Sequence, residues 1–217
     1  MNVFGLFKGI VSILPATLRR NIYWYKNRVT RKKNVMKWEL SGRPVPPPHQ
    51  YKQIVIEQLS KKYQFNNFVE TGTFLGHMIE AQRKNFKKLY SIEVEPKLYL
   101  DAYNYFKPYT HIKILKGDSA FELKTVLGDI QNDSVLFWLD GHYSGENTGM
   151  GENECPIFRE LETILINRID EKYILIDDAR CFNGNNDYPT IAEIIDFVQN
   201  TGNGLKITVL NDIIHIY

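Results

Sequence analysis

Cysteine and long apolar runs are both scarce in this chain of 217 residues. Its two cysteines, Cys155 and Cys181, lack metal-knuckle or CxxC spacing, and two thiols cannot build a disulfide framework. No segment reaches the roughly 18 apolar residues that a membrane-spanning helix needs. The sequence therefore predicts one α/β domain with an appendage, in a reducing, cytoplasmic setting.

Acidic residues are almost missing from positions 1–45, where ten Lys and Arg stand against Glu39 alone. This arm therefore has a formal charge of +9, and because the whole chain has +2, the remainder has −7. Such asymmetry predicts that the arm meets an anionic partner. Charge alone does not choose among a membrane surface, nucleic acid and the acidic body of the chain itself.

The first fifteen residues, MNVFGLFKGIVSILP, carry Lys8 as their one charge. Their apolar run is short, and Arg19 and Arg20 follow where a signal peptide would have a small-residue cleavage site. Two readings stay open, which are an amphipathic helix on the cytoplasmic membrane face and a helix packed on its own domain or on a second subunit. The apolar side would comprise Phe4, Leu6, Phe7, Ile10, Val11 and Leu14.

A proline run at residues 44–48 marks the clearest boundary. It divides a basic helical arm with its linker, residues 1–48, from a domain at 49–217. Residues 50–62 are predicted to be helical, with Ile54, Val55 and Leu59 on one side and Lys52 away from it. Beyond them, short β-branched runs alternate with amphipathic runs, a pattern typical of a mostly parallel sheet covered by helices.

Seven strands and five further helices are predicted in this domain. The strands are Asn67–Glu70, Lys88–Val94, Ile112–Leu115, Ser134–Leu139, Tyr173–Asp177, Leu205–Leu210 and Ile213–Tyr217. The helices are Leu75–Asn85, Pro96–Phe106, Phe121–Leu127, Cys155–Ile166 and Ile191–Gln199. Little more than Asn211 and Asp212 separates the last two strands, which predicts an antiparallel hairpin.

The segment Glu70-Thr71-Gly72-Thr73-Phe74-Leu75-Gly76 is a glycine turn between a strand and a helix. In a dinucleotide-binding loop a second glycine would stand where Thr73 stands, so pyrophosphate binding is disfavoured. Gly72 still permits a sharp turn and the approach of a smaller ligand. The acid Glu70 suits a cationic ligand such as S-adenosylmethionine, which has no phosphate.

Acids also follow the next two strands. Glu93 lies 21 positions after Gly72, where this kind of fold places the acceptor for ribose hydroxyls. Asp118 and Ser119 follow the third strand and are predicted to bind the adenine edge. The predicted cofactor site comprises Glu70, Thr71, Gly72, Thr73, Gly76, Glu93, Asp118, Ser119 and Asp140.

Three aspartates follow the fourth and fifth strands, in Asp140-Gly141-His142-Tyr143 and Asp177-Asp178-Ala179-Arg180. Because adjacent strands end at one edge of the sheet, these carboxylates should converge and repel one another unless a cation pairs with them. Arg180 supplies part of that charge. A divalent ion would supply more, and oxygen-only ligation favours Mg²⁺.

These segments together resemble class I S-adenosylmethionine-dependent methyltransferases, and residues 65–185 resemble the metal-dependent macrocin O-methyltransferase type. The resemblance implies a Rossmann-like, mostly parallel seven-stranded sheet with a C-terminal antiparallel hairpin. It also implies that Asp140, Asp177 and Asp178 bind Mg²⁺, which orients vicinal sugar hydroxyls. Where that family has an acid as general base, this chain has His142, a residue that can also take a proton near neutral pH.

The resulting hypothesis is methyl transfer to a hydroxyl of a sugar or another small polar acceptor, with His142 and Asp140 as catalytic residues. Residues 145–156 and 182–189 are predicted to be polar walls of the acceptor site. Two alternatives stay open, a metal-dependent hydrolase and a nucleoside-binding scaffold in a glycan-assembly complex. Nucleic-acid methylation is disfavoured, because no Asn-Pro-Pro-Tyr-type loop is present and the body is acidic.

Overall fold

A computed structural model describes residues 16–131, 133–141, 155–167, 169, 171–201 and 204–217. Seven strands form one sheet, namely β1 Asn67–Thr71, β2 Lys88–Glu93, β3 Ile112–Lys116, β4 Val135–Leu139, β5 Lys172–Ile176, β6 Ile207–Leu210 and β7 Ile213–Ile216. Their order is β3-β2-β1-β4-β5-β7-β6. Strands β1 to β5 pair in parallel, and β7 runs antiparallel to both β5 and β6. The predicted sheet and its final hairpin are confirmed.

Seven α-helices accompany the sheet in the described residues. They are α1 Ala16–Leu40, α2 His49–Tyr63, α3 His77–Gln82, α4 Pro96–Phe106, α5 Ser119–Ile130, α6 Ile157–Ile166 and α7 Ile191–Thr201. A short 3-10 helix at Ala179–Cys181 follows β5. None of these helices is both long enough and apolar enough to cross a membrane.

The sheet is buried on both faces, because its central strands are apolar at successive positions. On β1, Val69 joins a core with α5, α6 and α7, whereas Phe68 joins a second core with α2, α3 and α4. Leu136 and Phe137 on β4 alternate in the same way. These two cores produce three layers and bring the carboxyl ends of β1 to β5 to one edge.

Several predicted helix ends need correction: α6 begins at Ile157 rather than Cys155, and two other starts have a visible cause in the local structure. Helix α3 begins at His77 rather than Leu75, because Phe74 and Gly76 both have positive φ, at 46° and 72°, and Gly76 caps the helix. Helix α5 begins at Ser119 rather than Phe121, because the Asp118 side chain accepts a hydrogen bond from the Ala120 N–H at 2.9 Å. The predicted amphipathic segment at positions 4–14 lies outside the described residues.

The basic arm forms α1, which packs against the rest of the chain. Val35 and Trp38 on α1 are buried, and Arg31 pairs with Glu57 of α2. Further along the helix, the Arg20 guanidinium donates to the carbonyl oxygen of Asp101 at 3.1 Å. At least these positions of the arm therefore contact the acidic body, as one reading of the charge asymmetry allowed.

Candidate functional site

The glycine turn after β1 lies directly against the turn after β4. The Asp140 N–H donates to Thr71 at 3.2 Å, both to its carbonyl oxygen and to Oγ1. Gly72 has a φ of 82°, and a Cβ on it would lie 2.3 Å from the Asp140 carbonyl oxygen. Gly76 has a φ of 72°, and a Cβ there would lie 2.7 Å from a ring carbon of Phe106. Both glycines are therefore required by the backbone conformation and by close neighbours within the chain.

Glu70 lies at the end of β1 with 2% of its surface exposed. The Ser91 hydroxyl donates to its carboxyl group at 2.5 Å and lies 2.6 Å from the Thr73 hydroxyl. Burial, followed by the nearby charges of Asp140 and Glu93, raises the pKa of Glu70 well above its usual value. A cationic ligand beside Glu70 would favour its ionised form and would in turn be bound more tightly.

Glu93 connects the glycine turn to the end of β2. One carboxylate oxygen accepts the Phe74 N–H at 2.7 Å, and the other accepts the Glu95 N–H at 3.0 Å. Burial raises the pKa of Glu93, although these backbone donors act in the opposite direction. A carboxylate can accept about four hydrogen bonds, so these backbone donors leave room for a ribose hydroxyl and the predicted role is compatible with this geometry.

Asp118 stands at the end of β3, beside the same edge of the sheet, as the N-cap of α5. Ser119 is buried in the first turn of that helix. The cap explains why an acid is favourable here and why α5 begins where it does. Contact with an adenine edge stays a prediction for both residues.

The acid pair after β5 meets two basic side chains. The Lys52 ammonium on α2 lies 2.5 Å from Asp177 Oδ2 and 3.0 Å from Asp178 Oδ1. The Arg180 guanidinium lies 2.8 Å from Asp178 Oδ1 and also pairs with Asp212, which precedes β7. Asp140 lies near enough that its charge contributes to a raised pKa of Asp177, for which burial is the larger cause. The predicted convergence of the three aspartates is thereby supported.

Lys52 is the site residue that the sequence analysis missed. It was predicted to point away from the apolar side of α2, yet it is 8% exposed. The signal was present, because Lys52 precedes the buried Val55 and Ile56 by three and four positions and so shares their helix face. Burial disfavours the ammonium, but Asp177 and Asp178 outweigh burial and raise the pKa of Lys52.

The arrangement of these acids does not fit the predicted Mg²⁺ site. Asp177 Oδ2 and Asp178 Oδ1 are both occupied by Lys52, and Asp177 Oδ1 accepts the Asp178 N–H at 2.8 Å. Within the described ranges, no three His, Cys, Asp or Glu side chains are grouped to hold a metal ion. His142, the predicted general base, lies outside those ranges.

The two predicted acceptor walls differ in what the structure describes. Of residues 145–156, only Cys155 and Pro156 are described, and Cys155 is buried. After β5, Phe182 is buried and packs edge to face on Tyr188, with ring centroids 5.5 Å apart. This second segment is therefore held by its own aromatic contact, and its role as a wall stays a prediction.

No protein-family model and no curated protein matches the chain. Three solved structures are similar in fold. A methyltransferase from Podospora anserina with bound S-adenosylhomocysteine is 14% identical, with a TM-score of 0.56, covering 94% of this chain and 88% of that one. TomG, an O-methyltransferase from Streptomyces achromogenes involved in tomaymycin synthesis and solved with S-adenosylmethionine, is 12% identical, with a TM-score of 0.55 and coverages of 94% and 98%.

The third structure is an O-methyltransferase from Bacillus cereus in complex with S-adenosylhomocysteine, 11% identical, with a TM-score of 0.54 and coverages of 87% and 90%. Similarity at such low identity establishes the fold and not the activity. The strand order of this chain and its similarity to the solved structures together show that it has the Rossmann-like fold of class I methyltransferases.

Proposed function

We propose that this protein is an S-adenosylmethionine-dependent O-methyltransferase. The observation that carries the proposal is the row of Glu70, Glu93 and Asp118 at the ends of three adjacent strands, beside a glycine turn without a pyrophosphate-type second glycine. Open α/β sheets bind ligands outside the carboxyl ends of their strands. Solved proteins of the same fold that hold S-adenosylmethionine or S-adenosylhomocysteine add support.

The acceptor in this proposal is a hydroxyl of a sugar or of another small polar molecule. Asp140, at the end of β4, lies between the cofactor residues and the acid pair, since its charge acts on both Glu70 and Asp177. An acceptor bound there would present its oxygen to the methyl group, and positioning for in-line transfer would supply much of the rate. His142 remains the proposed base, and the hydroxyl proton would pass to it.

Binding of S-adenosylhomocysteine, measured by calorimetry, tests the cofactor assignment directly. We expect micromolar binding by the unaltered protein and a loss of about tenfold or more in Glu93→Ala, since hydrogen bonds from ribose hydroxyls to a carboxylate would be lost. Asp196→Asn, at an exposed acid of α7, is the matched control and should bind as the unaltered protein does. Equal binding by Glu93→Ala would argue against this site.

The same measurement separates the two alternatives. A hydrolase acting through the aspartates has no need of the nucleoside residues and would not bind S-adenosylhomocysteine. A scaffold protein would bind it but would transfer no tritiated methyl group from S-adenosylmethionine to a panel of sugars and sugar nucleotides. Binding together with transfer that depends on Asp140 is the outcome that the proposal requires.

A further inference from the structure

Lys52 is held firmly where it meets the acid pair. Its neighbours on α2 are both anchored, since the Gln53 carbonyl oxygen accepts from Gln82 at 2.9 Å and the Tyr51 hydroxyl accepts from Asn211 at 2.5 Å. The Lys52 side chain itself is 10% exposed. The Lys52 ammonium is thus carried by an anchored helix and is largely shielded from water.

A divalent ion at the acid pair would compete with Lys52, because both would lie against the same carboxylate oxygens and would repel each other. A metal at the acid pair would add a third positive centre beside Asp178, whose Oδ1 already accepts from both Lys52 and Arg180, and the metal would repel both cations. The Lys52 ammonium donates two of its three N–H groups to Asp177 and Asp178. The third N–H is available in the described site for the oxygen of a bound acceptor.

We infer that Lys52 takes the place of a divalent cation: together with Arg180 it balances the charges of Asp177 and Asp178, and it orients the acceptor. Lys52 is thus a positioning residue for the acid pair. The part of this inference that concerns the acceptor rests on the proposed function. The part that concerns the cation does not, because metal binding is measurable without turnover.

Titration with Mn²⁺, followed by electron paramagnetic resonance of the free ion, tests the inference. We expect that the unaltered protein has no Mn²⁺ site that depends on Asp177. Lys52→Ala should gain a Mn²⁺ site at least about tenfold stronger, because it removes the cation of Asp177 and one of the two cations beside Asp178. The site should disappear in the double variant Lys52→Ala, Asp177→Asn. Lys62→Ala, at an exposed lysine of the same helix, is the control and should gain nothing.

Binding of Mn²⁺ by the unaltered protein that is lost in Asp177→Asn would overturn the inference. So would a folded Lys52→Ala variant, checked by circular dichroism, that gains no site. If Lys52→Ala does not fold, the measurement on the unaltered protein still decides. A failure to bind S-adenosylhomocysteine would count against the proposed function and would leave the Mn²⁺ result intact.

A second inference rests on the outer face of α1, independently of the acid pair. Five large apolar side chains there are between 45% and 78% exposed, namely Leu18, Tyr25, Val29, Met36 and Leu40. Their spacings of seven, four, seven and four positions place them in one line along the helix. The opposite face of α1 is already occupied by the body of the chain, through residues such as Val35 and Trp38.

Basic side chains flank this apolar line. Arg28, Lys32, Lys33 and Lys37 are all exposed, and Glu39 is the one acid on the helix. An apolar stripe bordered by Lys and Arg is typical of helices that lie in the interface of an anionic membrane. A two-fold contact between two copies of this face would instead bring the basic borders together and would be repulsive.

We propose that the outer face of α1 docks on an anionic lipid surface. A flotation assay tests this with two kinds of vesicle. One contains phosphatidylcholine alone, and the other contains phosphatidylcholine with about 30% phosphatidylglycerol, an anionic lipid. We expect binding to the anionic vesicles that weakens with salt and is lost in Val29→Glu, Met36→Glu. Leu100→Glu, at a residue of α4 that is also exposed, is the matched control and should bind normally.

Equal flotation with both vesicle types, or no flotation, would overturn this proposal. Sedimentation of the unaltered protein as a dimer that becomes a monomer in Val29→Glu, Met36→Glu would also overturn it, in favour of a second copy as the occupant. Salt dependence separates electrostatic docking from simple insertion of the apolar line, because screening weakens only the former.

Discussion

Gly72 is the residue at which the turns after β1 and β4 approach each other most closely. Alanine at this position would have a φ of 82° and a Cβ that overlaps the Asp140 carbonyl oxygen. We expect Gly72→Ala to lower the free energy of unfolding by about 1–3 kcal/mol, because the strained backbone has no lower-energy alternative there. Urea denaturation measures this, and calorimetry with S-adenosylhomocysteine should show weaker binding.

Gly128 provides the matched comparison. It lies within α5, with no heavy atom within 4 Å of an added Cβ, so alanine meets no obstacle. Gly128→Ala should raise the free energy of unfolding by about 0.5–1 kcal/mol, because alanine is the better helix former. If both variants were equally stable, the two turns would not be in contact.

Cofactor binding should be coupled to the ionisation of Glu70. Its pKa is raised by burial in the free protein, and a bound ammonium or sulfonium group would lower it again. Binding should therefore release a proton in the pH range between the bound and free pKa values. Calorimetry in two buffers with different ionisation enthalpies measures the release. Glu70→Gln should bind without it, and an unchanged release would assign the proton to another group.

The sequence predicted where the strand-end acids lie, but it did not predict that Lys52 contacts the acid pair. Glu70, Glu93 and Asp140 could be found because each ends a strand, and strand ends share an edge. Lys52 lies on a helix more than a hundred positions before Asp177, so their contact depends on how α2 packs across the sheet. No local pattern specifies that packing.

Helix α1 is joined to the body through aromatic contacts. The Trp24 ring lies 4.4 Å from Tyr105 and 6.1 Å from Phe106, both on α4, measured between ring centroids. We expect Trp24→Ala to lower the free energy of unfolding by about 1–3 kcal/mol, since a partly buried aromatic contact is lost. Thermal unfolding measures this. Tyr25→Ala, on the exposed side with 71% exposure, should change stability little.

An unchanged melting temperature in Trp24→Ala would mean that α1 is a separate tail.

The sequence could not decide whether α1 packs on the body, because the proline run at 44–48 predicts a boundary whether or not the two sides then pack. Strands were predicted with bounds close to the observed ones because each is a short apolar run bordered by polar residues. Helix α3 was predicted to be too long, because the apolar periodicity of the sequence does not reveal the positive φ at Phe74.

Across the whole molecule, the basic arm and the acidic body meet near two histidines, of which His49 is exposed and His77 is partly buried. His49 on α2 and His77 on α3 have ring centroids 6.2 Å apart, and Tyr23 of α1 stacks on His77 at 4.5 Å. Desolvation of the ring, with the neighbouring His77 and Lys52, lowers the pKa of His49 to about 4, although the residue as a whole is exposed. Burial, with the nearby Arg20, lowers the pKa of His77 to about 4. Both rings are therefore neutral in the folded protein at neutral pH.

These two histidines should consequently make the protein less stable as the pH is lowered, whereas the raised pKa values of Glu70, Glu93 and Asp177 act in the opposite direction. An unfolded chain takes up protons on these two histidines near their usual pKa of about 6.5, whereas the folded chain takes them up only near 4. Between those values the unfolded state binds about two more protons on these histidines, and their contribution to stability decreases toward acid. Urea denaturation from pH 7.5 to 4.5 measures the slope. The double variant His49→Gln, His77→Gln should reduce the slope by about two protons, whereas an unchanged slope would show that both rings titrate normally in the folded protein.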